Sequence, residues 1–242
     1  MRKLLALIAV GLATLFTAPA IQAADMPYYP EIEVPDVDYG LEGSFYLRGS
    51  VGGNLMWARE FLYNCACAPN VFDVDRFGYG YSFGAGLGYE FGDGLRADVT
   101  LDYIANDGMY GALQNPPDNI TFGLRSTVAL ANVYYDFGLG NGFGSAAGGF
   151  GAYVGAGLGF AHYTVADIAP PPGNAPTGSG ITGAGAVMAG VSYDMGTVVA
   201  DVGYRGLYLP IIHNNSVAQP GTLISHDNFI HELRGTVRYR FN

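Results

Sequence analysis

Hydrophobic and polar positions alternate along this chain every second residue, in segment after segment from about residue 43 onward. The last segment, 229–241, is the cleanest. Phe229, His231, Leu233, Gly235, Val237, Tyr239 and Phe241 fall on one face, and Ile230, Glu232, Arg234, Thr236, Arg238 and Arg240 on the other. Period two belongs to a β-strand, whose successive side chains point to opposite faces. The same pattern predicts a first strand with Phe45, Leu47, Val51, Leu55 and Trp57 opposed to Ser44, Tyr46, Arg48, Ser50 and Asn54. A second opposes the odd residues Tyr79 to Phe91 to a Gly-rich even set ending at Glu90, and a third opposes Leu95, Ala97, Val99, Leu101 and Tyr103 to Arg96, Asp98, Thr100 and Asp102. The fourth, near 122–137, has apolar residues on both faces, so its phase stays unassigned. A fifth (Phe150, Val154, Ala156, Leu158, Phe160 outward), a sixth (Val187, Ala189, Val191, Tyr193) and a seventh (Val198, Ala200, Val202, Tyr204, Tyr208, opposed to Asp201 and Arg205) bring the count to eight with the last.

The connections alternate in length. Gly92-Asp93-Gly94 and Met195-Gly196 are turns of hairpin type, and a Gly-rich link near 138–149 joins the fourth and fifth strands. The remaining connections, 58–77, 106–121, 164–180 and 211–228, are long. Short turns at one end and long loops at the other are the asymmetry of an up-and-down outer-membrane barrel. Facing parity agrees: a two-residue loop pairing Asp194 with Thr197 must switch the inward set from even to odd, and a three-residue loop pairing Phe91 with Leu95 must leave it even. The second register predicts an ion pair between Glu90 and Arg96. If Ile211 pairs with Asn228 in the last hairpin, Asp201 lies opposite Arg238.

A soluble β-sandwich would also alternate, with its polar face in water. Here the apolar face carries aromatics near both strand ends (Tyr79 and Phe91, Phe150 and Phe160, Phe229 and Phe241), as interfacial girdles require. The other face is rich in Gly, which suits a crowded lumen. Lys, common on soluble edge strands, occurs only at position 3. The reading is an all-β, eight-stranded antiparallel up-and-down transmembrane β-barrel over residues 43–242.

Two segments precede it. Arg2 and Lys3, an apolar run over 4–16 and Ile21-Gln22-Ala23 form a secretory signal peptide, residues 1–23. Residues 24–42 form an acidic, Pro-rich tail (Pro27, Pro30, Pro35; Asp25, Glu31, Glu33, Asp36, Asp38, Glu42), expected in the periplasm. The composition is unusual, with 37 Gly, 18 Tyr and 14 Phe but only 13% charged residues. Of the 11 basic residues Arg2 and Lys3 fall in the leader, which leaves nine against 21 acidic ones and a net charge of about −12. That balance argues against nucleic acid, which needs a cationic face.

The candidate chemistry lies on the inward face. Arg48, Glu90, Arg96, Asp98, Asp102, Asp201, Arg205, Glu232, Arg234, Arg238 and Arg240 all point into a lumen just wide enough for side chains to fill. Unpaired charges there are costly, so a network of ion pairs is expected, acting as a plug or as a gated narrow channel. His162, His213, His226 and His231 sit toward the long-loop side; His213 and His226 are weak haem candidates, and no spacing matches a metal motif. Cys65 and Cys67 are close enough in sequence to form only a tight, strained ring. Ser225-His226-Asp227 and His213-Asn214-Asn215-Ser216 contain triad residue types without the context of a nucleophile, so no enzyme is expected. The run 178–183 resembles a dinucleotide fingerprint but follows a Pro loop rather than a strand.

The runs 153–161 (YVGAGLGFA), 131–138 (ANVYYDFG) and 190–194 (GVSYD) with Gly203-Tyr204-Arg205 resemble the OmpA/OmpX-like eight-stranded outer-membrane barrels, and most of all a surface-antigen and haemin-binding branch common in alphaproteobacteria. The resemblance implies a Gram-negative outer membrane with lipid and lipopolysaccharide around the barrel. It also implies insertion by the barrel-assembly machinery, with Tyr239 and Phe241 as the end-signal; Phe241 stands one residue before the end where the family has a terminal Phe. The cell-wall-binding domain of full-length OmpA has no counterpart here. The expected role of this monomeric barrel is structural and surface-presenting, through an unidentified loop partner. The alternatives are a narrow porin-like channel and haem binding by the loops.

Overall fold

The computed structural model describes residues 43–64, 69–92, 94–114, 117–138, 149–169, 177–214 and 222–241. The segments read from sequence as a signal peptide and an acidic tail, and Cys65, Cys67, Asn215 and Ser216, lie outside the described residues. The chain divides into Met1–Asp38 and Tyr39–Asn242, and only the second unit contains described residues.

That unit is built of strands: β1 (Ser44–Asn64), β2 (Pro69–Arg76), β3 (Gly78–Glu90), β4 (Leu95–Gln114), β5 (Pro117–Gly138), β6 (Gly149–Ala169), β7 (Gly178–Asp194), β8 (Val198–His213) and β9 (Thr222–Phe241). All neighbours are antiparallel, and β1 pairs with β9 to close the ring. Eight staves were expected and eight form the wall, because β2 and β3 are one stave interrupted at Phe77. β2 pairs with β1 and β4 above the place where β3 does the same. Followed around the wall, the register runs Phe45, Tyr89, Ala97, Val133, Ala156, Val187, Gly206, His231 and back to Leu55. A shift of ten residues per circuit of eight strands requires a tilt of about 40° and leaves an interior that side chains fill.

The two faces follow the alternation. Leu158, Phe150, Phe160, Tyr79, Phe45 and Leu233 are each about two-thirds exposed or more, and the even residues of β3 and, up to the bulge after Asn106, of β4 point inward. β5, unassigned from sequence, turns Leu124, Val128, Leu130, Asn132 and Tyr134 inward and Ala129, Ala131 and Val133 outward.

Three expectations need correction. The long connections are much shorter, because both flanks continue as paired strands: Phe61 pairs with Phe72, Gln114 with Pro117, Val165 with Gly178 and His213 with Ile224. The sequence there lacks clean alternation because both sides of the wall leave the lipid. The tight turn between β7 and β8 aligns Asp194 with Val199 rather than Thr197, a slip of two residues that preserves the parity switch. In the last hairpin Ile211 pairs with His226, so Thr236 rather than Arg238 stands opposite Asp201.

Candidate functional site

Among the described residues, chemistry-bearing side chains converge in the lumen, which has two layers. The layer toward the short turns is charged. Asp98 accepts from Tyr46 Oη (2.8 Å), Arg48 Nη1 (2.8 Å) and Asn132 Nδ2 (2.7 Å). Asp102, with no exposed surface, bridges Arg205 Nη1 and Arg234 Nη2, each at 2.6 Å. Arg205 also donates to Glu232, and Arg234 to Ser50. At the mouth Glu90 accepts from Arg238 Nη1 and Arg240 Nε, both at 2.7 Å, and Arg240 reaches Asp194 at 2.7 Å. All eleven residues singled out from sequence point into this network.

One of the predicted partnerships differs. Glu90 and Arg96 are cross-strand neighbours, but Glu90 turns to the arginines of β9 and Arg96 to Asp136 at 2.7 Å. Directly opposed positions need not pair when long guanidinium stems reach a better-placed carboxylate across a narrow lumen. Asp201 meets Arg238 diagonally, at 3.5 Å, despite the register slip.

Sequence reasoning missed the aromatic part of this layer. The Arg96 guanidinium lies 3.8 Å from the centre of the Tyr134 ring, which packs edge-on to Tyr153 at 5.9 Å. It also missed the reason for the inward glycines. A Cβ on Gly88 would stand 2.4 Å from the Tyr46 ring, on Gly155 2.4 Å from Tyr134, on Gly84 2.0 Å from Asp102 and on Gly157 2.0 Å from Asn132. Each glycine is the floor over which a large side chain of the next strand lies. The strict large-over-Gly pairing is visible only once the register is known.

The second layer, toward the long-loop end, is mainly apolar: Met56, Ile104, Met109, Phe122, Leu124, Val128, Leu207, Leu209, Ile212 and Ile230 form a buried cluster inside the barrel, with Asn54, Ser82, Asn106, Ser126 and Asn228 buried beside them. Within the charged layer a cavity lined by Arg48, Arg96, Tyr134, Tyr153, Asp201, Arg205 and Arg234 among others measures about 10 Å³. That is room for about one water molecule. The mouth at the short-turn end opens to a pocket of about 70 Å³ beside Glu90, Asp136, Asp194, Arg238 and Arg240.

The remaining candidates lie apart from the lumen. His213 and His226 both sit on the β8–β9 hairpin, opposite Ile224 and Ile211 respectively. His231 is on the outer wall, where its Nδ1 lies 2.6 Å from Tyr204 Oη. Among the described residues no group of three or more His, Cys, Asp and Glu side chains could hold a metal ion. Ser225 is fully buried and its Oγ donates to Asn228 Oδ1 at 2.5 Å, so it is turned away from a triad with His226 and Asp227. Tyr239 and Phe241 are exposed on the outer face, edge to face at 5.3 Å.

Comparison with known proteins fits this architecture. An uncharacterized protein of Brucella abortus is 30% identical over 236 residues, which cover 83% of this chain and 80% of that protein. The chain belongs to that family. A Brucella melitensis member matches to the same extent, and no protein-family model matches. Among solved structures, the Neisserial surface protein A, 22% identical, superposes with a TM-score of 0.50 over 82% of this chain and 99% of its own. The shared fold is that of the eight-stranded outer-membrane barrels.

The exterior supplies the physical reason for a membrane. Phe45 and Trp57 mark the two aromatic girdles on β1; twelve residues at about 3.3 Å, tilted by about 40°, span about 30 Å, the hydrocarbon thickness of a bilayer. Between the girdles the outward side chains are mainly apolar, with the His231–Tyr204 pair, Thr127 and His162 toward the upper one. A closed ring satisfies every ladder hydrogen bond within lipid. The family member described here is an integral outer-membrane β-barrel protein.

Proposed function

We propose that this barrel is a sealed, non-enzymatic scaffold that holds its extracellular strands and loops at the cell surface. The observation that carries the reading is the closed lumen: a charged layer knitted by ion pairs around a cavity of only about 10 Å³, and a mainly apolar layer above it. A hydrated ion crossing it would have to part the Asp102–Arg205–Arg234 bridge and then push through a close-packed, mainly apolar cluster of Met, Leu and Ile. The wall also continues outward: β1 runs seven residues past Trp57 to Asn64, paired on both sides at its tip, a rise of about 18 Å at strand geometry. Such an extension gives variable loops a stiff base. The barrel works as a monomer, with lipopolysaccharide at its outer rim, and Tyr239 and Phe241 present the end-signal to the assembly machinery.

Planar-bilayer recording on the refolded protein tests the reading. The expected record is a flat baseline in molar salt, and a reproducible single-channel step would replace the sealed scaffold by the narrow channel.

A further inference from the structure

We propose that Arg59, Arg76 and Arg125 form a half-collar on the outer wall that binds the phosphates of a phosphorylated glycolipid in the outer leaflet. The proposal rests on the reading that lipopolysaccharide surrounds the outer rim, and it is independent of whether the lumen conducts.

It starts from where the arginines fall. Beyond residue 23 the chain has nine arginines and no lysine. Arg48, Arg96, Arg205, Arg234, Arg238 and Arg240 belong to the inward network. The other three face out. The Arg59 side chain is 71% exposed and that of Arg125 35%, and Arg76 is exposed as well.

Register sets their height. Arg125 lies on the line through Ala105, Tyr81 and Gly53, and Arg76 stands two residues above Gly78, the partner of Met56. Each such line climbs the wall by a little over one residue per stave, since a full circuit from Phe45 returns at Leu55. Corrected for that climb, the three arginines stand within about 6 Å of one height, between the level of Trp57 and about two residues above it. That is the upper girdle. Arg59 and Arg76 occupy neighbouring staves, and Arg125 lies two staves beyond Arg76, about 10 Å across the ladder. β6 and β7 contain no arginine, and those of β8 and β9 turn inward, so the cations occupy one side of the barrel.

Local irregularities of the wall present them. The bulge between Asn106 and Met109 reverses the facing of β4, so Met109 and Gly111 turn in and Tyr110 turns out. Arg76 lies over the Tyr110 ring at 4.8 Å, and Arg125 Nη1 donates to Asp107 Oδ1 at 2.7 Å. Arg59 Nη1 stands 3.5 Å from Asp227 Oδ2, and Tyr208 Oη donates to the other oxygen of that carboxylate at 2.6 Å. Asp227 has φ 52°, a left-handed conformation that persists only where its surroundings hold it and that gathers at binding sites. The carboxylates steady the guanidinium groups without exhausting them, because a guanidinium carries five N–H donors.

Position and neighbours identify the occupant. These side chains lie on the flank, directly above the hydrocarbon band, where outer-leaflet headgroups stand. Guanidinium matches phosphate in charge and geometry. Aromatic faces accompany the charges: Trp57, two residues below Arg59, packs on Phe229 at 5.9 Å, Tyr110 lies under Arg76, and the Tyr79 ring borders Gly108. Such faces suit the C–H surface of a sugar, and two phosphates carried at the ends of a disaccharide match the reach from Arg76 to Arg125. A phosphorylated glycolipid meets both conditions, and a glycerophospholipid meets only the first.

Titration of the refolded full chain in detergent with diphosphorylated lipid A, read by native mass spectrometry and by Trp57 emission, tests the collar. Saturable binding is expected. Each of Arg59→Gln, Arg76→Gln and Arg125→Gln should weaken it roughly fivefold, and all three together on the order of a hundredfold. Dephosphorylated lipid A should bind the wild type as weakly as the diphosphorylated form binds the triple variant. His162→Gln, on the opposite side at the same girdle, should leave affinity unchanged. Gel mobility before and after boiling confirms that each variant is folded. Undiminished binding by the triple variant overturns the collar while leaving lipopolysaccharide at the rim; no binding by the wild type overturns both. Equal affinity for phosphatidylglycerol overturns the glycolipid.

Discussion

Replacing Asp102 by Ala removes the carboxylate that ties β4 to both β8 and β9 across the lumen. Its two contacts, to Arg205 and Arg234 at 2.6 Å each, are fully shielded from solvent. With charge centres about 4 Å apart and an effective dielectric of about 20, each attraction is worth about 4 kcal/mol. Releasing the carboxylate from its own desolvation returns several kcal/mol of that sum. Arg205 keeps Glu232 and Arg234 keeps Ser50, so neither guanidinium is wholly stranded. The expected net loss is about 3–5 kcal/mol, the usual range for breaking a buried pair from one side. Asp102→Ala combined with Arg234→Met should recover part of it, because the uncompensated charge goes too. Urea unfolding from lipid vesicles, followed by the emission of the single Trp, Trp57 at the upper girdle, measures both. A loss below about 1 kcal/mol for Asp102→Ala, or a double variant less stable than the single one, would refute the view that charge pairing seals this layer.

Other positions give sharper geometric tests. Gly155→Val should cost about 1–3 kcal/mol through overpacking, because its side chain would enter the space of the Tyr134 ring and tilt it away from Arg96; the same unfolding assay reads it. Leu158→Arg, at the middle of the lipid-facing band and 76% exposed, should cost about 2–4 kcal/mol in vesicles. An effect near zero there would mean that this face does not meet hydrocarbon. Haemin titration should give no saturable Soret shift; a shift that disappears in His213→Ala/His226→Ala would add a ligand to the scaffold.

The wall was legible in the sequence because its rule is local. Alternation from Phe229 to Phe241 or from Leu95 to Tyr103 depends only on neighbours in the chain, so inward and outward faces could be read without a structure. β5 escaped the rule because Leu124, Val128 and Leu130 are as apolar as the Ala and Val residues behind them. The fourth strand thus hid Phe122, Leu124 and Val128 of the apolar layer, and Asp136 with them. Partner choice escaped for another reason. Arg96 and Glu90 are fixed in register by the turn at Gly92, yet which carboxylate a long guanidinium meets depends on the opposite wall of a lumen whose shear no local pattern encodes. The two-residue slips at Asp194 and Ile211 arise likewise from turn geometry, to which parity is blind.

The pairing of β1 with β9 has a consequence in time. Phe45 meets Phe241, and Asn64 meets Thr222, so the contact that completes the wall joins the most distant parts of the barrel sequence. No prefix of the chain, however long, can cover both of its own strand edges. Every partial product must keep two raw edges and an unassembled set of arginines until the final strand arrives. The seven side-chain contacts that β9 makes through Arg234, Arg238 and Arg240 with Ser50, Glu90, Asp102, Asp136, Asp194 and Asp201 therefore act as a completion check: the carboxylates laid down earlier on β3, β4, β5, β7 and β8 find these partners only when β9 is in place.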